Sequence, residues 1–292
     1  MAISIRIPGL LRLMVVRRPD EVLAVNAATG VDRPLSGRGG LFNRSMAAKL
    51  EVFRTANGEI WPAFCSRNDA GRMRRSKEVA EKLTDIPAKL QGIRGEIAEL
   101  AAYVRGNPTA RSAGVIVQQA VGKLFFADYR ASEESFDAAQ TLSIWLRALP
   151  LRTRLLRRSG KVQAAVDEVL RQARQDTACA HGTGLALHNI VKSVELMRKL
   201  ARSESRLKRL SPAEAVALTL RGPPSVVREA RDRVREEKLR ARERSIVLMA
   251  VETARKRSPD PGIAFFTGQW NECPAHAFVP ALLAEVWKTA SA

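Results

Sequence analysis

The stretch that decides the reading lies near the C-terminus: Phe265-Phe266-Thr267-Gly268-Gln269-Trp270-Asn271-Glu272-Cys273-Pro274-Ala275-His276. Cys273 follows a glycine-containing loop and precedes Pro274, a residue suited to the first position of a helix. The sulfur therefore falls near the positive end of a helix, where a thiol pKa drops and the thiolate is favoured. Peptide N–H groups around such a sulfur can hydrogen-bond it and tune a bound metal. One thiolate cannot build a zinc site, but it can be the single protein ligand of a haem iron. The alternative from these residues alone is a buried thiol at a helix start.

Nothing else in the chain offers a competing chemistry. Cys65 and Cys179 are the other cysteines, an odd and sparse set without CxxC, so a reduced, cytoplasmic protein is expected. His181, His188 and His276 are too few for a histidine-based metal cluster. GxxxxGKS/T, GxSxG, HExxH and GxGxxG are absent. The chain has 292 residues, 46% of them hydrophobic, enough for a substantial core. Its formal charge of +19 calls for anions: an acidic partner, nucleic acid, a phosphate surface, or carboxylates held inside the fold. Apolar runs such as Leu13–Val16 and Ile246–Val251 fall far short of a bilayer span, and the opening residues are broken by Arg6, Pro8, Gly9 and Arg12.

Outward from the cysteine loop, helix dominates. Apolar residues three or four apart predict helices over 76–83, 87–105, 110–126, 133–149, 161–175 and 177–203, and Ser211-Pro212-Ala213-Glu214 is a capping box with proline at the first turn. Ile3–Ile7 alternates as a strand, Asp20–Ala28 is a short helix, and 30–45 is glycine-rich loop. The segment 226–241 is dense in charge and suits an exposed helix or ribbon, and 244–251 reads as a strand running into a helix. The charge runs 152–158 and 228–244 are solvated faces or docking faces for an acidic partner. The expected fold is mainly α with a few short strands. It forms one domain over 1–292, with a strand-containing part over 1–60 and a helical body over 61–292.

Several segments together resemble the cytochrome P-450 family, in the right order and across nearly the whole chain. That family's cysteine loop reads FxxGx(R/H)xCxG. Phe265 and Gly268 match its first fixed positions and Cys273 its ligand. One extra residue stands before Cys273, Asn271 replaces the basic residue and Ala275 the last glycine. Ala180-His181-Gly182-Thr183 resembles the (A/G)Gx(D/E)T of the long central helix, with Gly182 in place of the acid. Leu218-Thr219-Leu220-Arg221 resembles ExxR, with Leu218 replacing the glutamate. Arg228 follows Pro223-Pro224 where the family often places a propionate-binding arginine, and Asn68–Arg75 resembles the arginine-bearing early helix.

The resemblance implies a shortened, divergent cytochrome P-450-like fold holding haem b, with Cys273 on the iron. It implies Arg74, Arg75, Arg221 and Arg228 as candidates for the haem carboxylates, and Phe265, Gly268 and Trp270 beside the cofactor. Trp270 equally suits ordinary core. Thr183 is the implied proton-delivery residue, with His181 a substitute for the missing acid. Thr183 also suits a hydroxyl bonded back to its own helix. The implied activity is oxidation of a small organic substrate, driven by oxygen and electrons or by peroxide, with an acidic redox partner such as a ferredoxin and no membrane partner. The loss of the acid at Gly182 tilts the expectation toward peroxide. The competing class is a catalytically degenerate haem binder, or a basic helical binding protein acting through an acidic partner or nucleic acid. Only 5% aromatic residues and no recognised nucleic-acid motif weigh against nucleic acid.

Overall fold

The computed structural model describes residues 3–8, 10–35, 37–148, 153, 159–236, 239–258 and 260–292. The 152–158 charge run lies outside these residues apart from Thr153, as do Glu237 and Lys238 of the second run. Helices dominate and a small mixed sheet accompanies them, as the periodicity predicts. By internal contacts the chain forms two compact units. The first takes Met1–Arg74, Trp145–Ser159 and Gly222–Cys273, and the second Arg75–Ile144, Gly160–Arg221 and Pro274–Ala292.

The first unit is built on strands β1 (Ile3–Ile7), β2 (Leu11–Val16), β3 (Val31–Asp32), β4 (Val226–Ala230), β5 (Val234–Glu236), β6 (Leu239–Ala241) and β7 (Ile246–Met249). Five strands form one sheet in the order β1-β2-β7-β4-β3, and β5 pairs with β6 in a ribbon. Among the described strands, only β2 and β7 run parallel. The 226–241 segment is thus a strand and a ribbon, not a helix, and strands are not confined to the first 60 residues. Val226 packs against the sheet's core and Val234 and Ala241 belong to it, while Arg228 and Glu229 on β4 are themselves buried, so dense charge here does not mark a solvent face. The glycine-rich segment 30–45 also holds β3 and the start of the Leu41–Glu51 helix. Met14, Val16, Val22, Val25, Val31, Val247, Met249 and Phe266 belong to the sheet's core.

The second unit is helical. The Ala113–Phe125 helix is buried along almost its whole length. Glycine permits this: a Cβ on Gly122 would lie 2.1 Å from the Tyr129 ring, and one on Gly114 would lie 2.1 Å from Phe136. Ser211 and Glu214 form the expected capping box at Pro212–Thr219. The predicted 177–203 helix is interrupted. Asp176 caps Thr177–Ala180, a π turn spans His181–Leu185, and the α-helix resumes at Leu187–Ala201. Such π turns accompany functional positions in many helices.

Candidate functional site

In the first unit the cysteine loop is tied by its own backbone. Cys273 N–H donates to the Phe265 carbonyl at 2.8 Å, and Gly268 N–H donates to the Glu272 carboxylate at 2.9 Å. Gly268 has φ +74°, which explains the glycine there, and Phe266 holds a left-handed φ of +53° while its ring enters the sheet core. Phe265 is buried and Cys273 is partly exposed.

Trp270 is the hub of the loop. Its indole N–H donates to the Asn26 carbonyl at 2.8 Å. Four guanidinium groups surround its ring: Arg67 and Arg72 at 5.2 Å from the centroid, Arg228 at 5.5 Å and Arg33 at 5.7 Å. Cation–π attraction helps hold such groups, each contact contributing ~0.5–2 kcal/mol. Arg67 also donates to the Ala27 carbonyl at 3.0 Å and to the Ala28 carbonyl, while Arg72 donates to the Trp270 carbonyl. Arg228, fully buried on β4, donates to the Val227 carbonyl at 3.1 Å and to Asn26 Oδ1 at 3.3 Å.

The nearby buried carboxylate is already engaged. Asp32 accepts from Ser66 Oγ at 2.6 Å and from Arg67 N–H at 2.9 Å, and it pairs with Arg231 at 2.8 Å. The Nε atoms of Arg33, Arg72 and Arg228 are sealed from solvent and have no hydrogen-bond partner. Burial lowers the Arg33 pKa to about 10, with Arg72 adding to the effect; Asp32, Cys65 and Cys273 oppose it. Burial, reinforced by Arg33 and Arg67, pushes Arg228 well below its ordinary value, and Asp32 opposes this. Both remain charged at neutral pH. Buried guanidiniums with idle donors are costly unless an anion meets them.

The second unit contains the π turn. Thr183 is buried, and its hydroxyl donates to the Cys179 carbonyl at 3.2 Å, one turn back in the same helix. Its carbonyl accepts from Gln118 Nε2 at 3.1 Å, and Gln118 Oε1 accepts from Ser135 Oγ at 2.8 Å. A Cβ on Gly182 would lie 2.9 Å from the Phe125 ring, so the space of the missing acid is taken by an aromatic edge. His181 is partly exposed with Nδ1 buried.

The sequence-predicted arginines separate. Arg228 belongs to the Trp270 cluster. Arg74 is exposed and reaches Glu59 at 3.8 Å, so that pair contributes little. Arg75 is buried. Arg221 is partly buried, and its backbone N–H donates to Ser193 Oγ at 2.9 Å; Leu218 is 57% exposed. Sequence reasoning missed Arg33, Arg67 and Arg72. Arg72 sits inside the quoted 68–75 stretch, just before the selected Arg74 and Arg75, and Arg33 stands in a segment read as loop.

No family model and no curated protein matches the sequence. Solved structures do match its fold. The ligand-free structure of cytochrome P-450 OleT superposes with TM-score 0.62 at 11% identity, over 98% of this chain and 83% of that one. Cytochrome P-450 BioI, in complex with hexadec-9Z-enoic acid ligated acyl carrier protein, gives 0.62 at 13% identity over 96% and 84%. Cytochrome P-450 EX alpha with myristic acid gives 0.61 at 11% identity over 98% and 82%. The chain has a cytochrome P-450-like fold, reached at a distance where sequence identity carries no further information.

Proposed function

We propose that the protein is a haem-thiolate oxidoreductase in which Cys273 ligates the iron of haem b. One observation carries the reading: three guanidinium Nε atoms stand without partners around Trp270, and Arg33 among them lies within electrostatic reach of Cys273. A group bearing two carboxylates and an iron that takes one thiolate suits both halves of that loop. Arg33, Arg72 and Arg228 would hold the carboxylates through forked, charge-assisted hydrogen bonds. Thiolate-ligated haem supplies oxidation of organic substrates, driven by oxygen with electrons or by peroxide.

The chain's own residues favour peroxide. Proton delivery in the oxygen-driven route needs an acid and an alcohol in the central helix. Here Phe125 fills the acid's space at Gly182, and the Thr183 hydroxyl is engaged by its own helix. Peroxide already carries its O–O bond and protons, so this loss matters less. The fatty acids in two neighbour structures make long-chain acids the first substrates to test. A catalytically degenerate haem binder is the second reading, favoured by the same Thr183 hydrogen bond.

The test is spectroscopic and then catalytic. Purified protein loaded with haem should give the thiolate-type Soret band in its reduced carbon-monoxide complex. Failure to take up haem ends the proposal. Haem uptake without product from peroxide and fatty acid selects the degenerate reading.

A further inference from the structure

Strand β1 of the β1–β2 hairpin is one of the two edges of the five-stranded sheet, away from the cysteine loop in sequence and unused by the proposed chemistry. Its pairing places Ile3 opposite Val15, Ile5 opposite Leu13 and Ile7 opposite Leu11, so one face carries six aliphatic side chains. Ile3, Ile5 and Ile7 are 43–45% exposed. Leu10 and Leu41 extend the patch, joined by a Phe42 N–H bond to the Leu10 carbonyl at 3.3 Å. Five of the seven large exposed apolar side chains among the described residues gather here. Scattered apolar residues need no explanation, but a contiguous set does.

On the opposite face Met14 and Val16 pack into the sheet's core, and the exposed Arg6 and Arg12 pair across the hairpin beyond them. Arg6, Arg12 and Arg242 line an open cleft of about 300 Å³ together with Ile5, Leu13 and Met14. None of the three arginines makes an ion pair among the described residues, and no carboxylate lines the cleft. Residues 3–19 include Arg6, Arg12, Arg17 and Arg18 and no acid.

We propose that this hairpin docks the protein edge-on onto an anionic lipid surface. Ile3, Ile5, Ile7 and Leu10 enter the zone between headgroups and chains, while Arg6, Arg12 and Arg242 meet lipid phosphates. Amphipathic elements bury an apolar side ~5–10 Å deep in that way, held by charge as well as area. The zone is wet enough to satisfy the free strand edge, so no spanning element is needed; no described helix is long and apolar enough to cross a membrane. A second copy of the chain fits worse, because it brings the same arginines and no acid against them. The inference is independent of haem.

The test is flotation of the full-length protein with vesicles of phosphatidylcholine alone and with added phosphatidylglycerol. Binding is expected only to the mixed vesicles and should weaken as salt rises. Ile5→Asp should abolish flotation. Arg6→Gln with Arg12→Gln and Arg242→Gln should weaken it by about a hundredfold. All variants should keep the native circular dichroism and melting temperature. Equal flotation with phosphatidylcholine alone, or no flotation, overturns the proposal. Arginine dependence without isoleucine dependence would assign the face to an acidic protein. Competition by millimolar inorganic phosphate would assign the cleft to a soluble anion. A dimer of native protein lost in Ile5→Asp would assign the face to self-association.

Discussion

The loop around Trp270 and the π turn around Thr183 both collect polar groups away from water, and they treat them in opposite ways. At Trp270, four guanidinium groups crowd one ring and three of their Nε atoms find no partner. At Thr183, the hydroxyl, the carbonyl, Gln118 and Ser135 are each hydrogen-bonded within the chain, and the neutral Tyr129 hydroxyl beside them is left without a partner among the described residues. Idle buried donors on a charged guanidinium are far costlier than one idle neutral hydroxyl. The first region therefore suits the proposed ligand, and the second is largely satisfied by its own chain. Family resemblance pointed to both with similar force, and the hydrogen-bond inventory is what separates them.

That contrast breaks most visibly at sulfur. Cys273→Ala is expected to abolish the thiolate-type spectrum and remove most bound haem, whereas Cys65→Ala and Cys179→Ala keep the spectrum. Cys65 and Cys179 are buried thiols, and burial with the neighbouring Asp176 pushes the Cys179 pKa up to about 12, so its thiolate is negligible at neutral pH. Equal spectra from all three variants would remove the ligand role.

Arg228→Met should split stability from binding. Replacing a buried, poorly compensated charge with an apolar side chain of similar volume is expected to raise the stability of the haem-free protein, by roughly 1–4 kcal/mol. Haem affinity should fall. The pH behaviour has a definite sign. For Arg33 the folded pKa lies below the unfolded one, so the unfolded chain binds more protons between about 10 and its ordinary value, and stability rises with pH only there. At neutral pH the cost is constant, and sulfate or phosphate should stabilise native haem-free protein more than the Arg228→Met variant. Denaturant unfolding of both, with and without sulfate, measures this; a destabilised variant with unchanged haem affinity would show that the cluster serves the fold alone.

In the second unit, Gly122→Ala should destabilise by about 1–3 kcal/mol, because its Cβ collides with the Tyr129 ring and cores resist overpacking. Thermal melting would record it. The smallest effect is expected at Thr183→Ala: one intrahelical hydrogen bond lost, about 0.5–1.5 kcal/mol, with peroxide-driven product formation within about twofold of native. A drop of tenfold or more in product at unchanged haem content would return Thr183 to a catalytic role.

The sequence alone marked most of the helices and singled out Cys273. Local chemistry writes those directly: apolar periodicity set the helices, proline and Ser211–Glu214 set helix starts, and Cys273 beside Pro274 stood out without any partner being known. It failed where the signal is not local. Dense charge hid the strands of 226–241, since Arg228 and Glu229, residue types that read as solvent-facing, are buried on β4. Among 49 basic residues no spacing distinguishes Arg72 from Arg74, or Arg33 from the rest of its loop. Only the tertiary structure decided that, because Arg33, the Arg67–Arg72 segment and Arg228 lie far apart in sequence and meet on the ring of Trp270. Burial and the missing partner, rather than residue type, turn an arginine into a binding group, and both are properties of the packed chain.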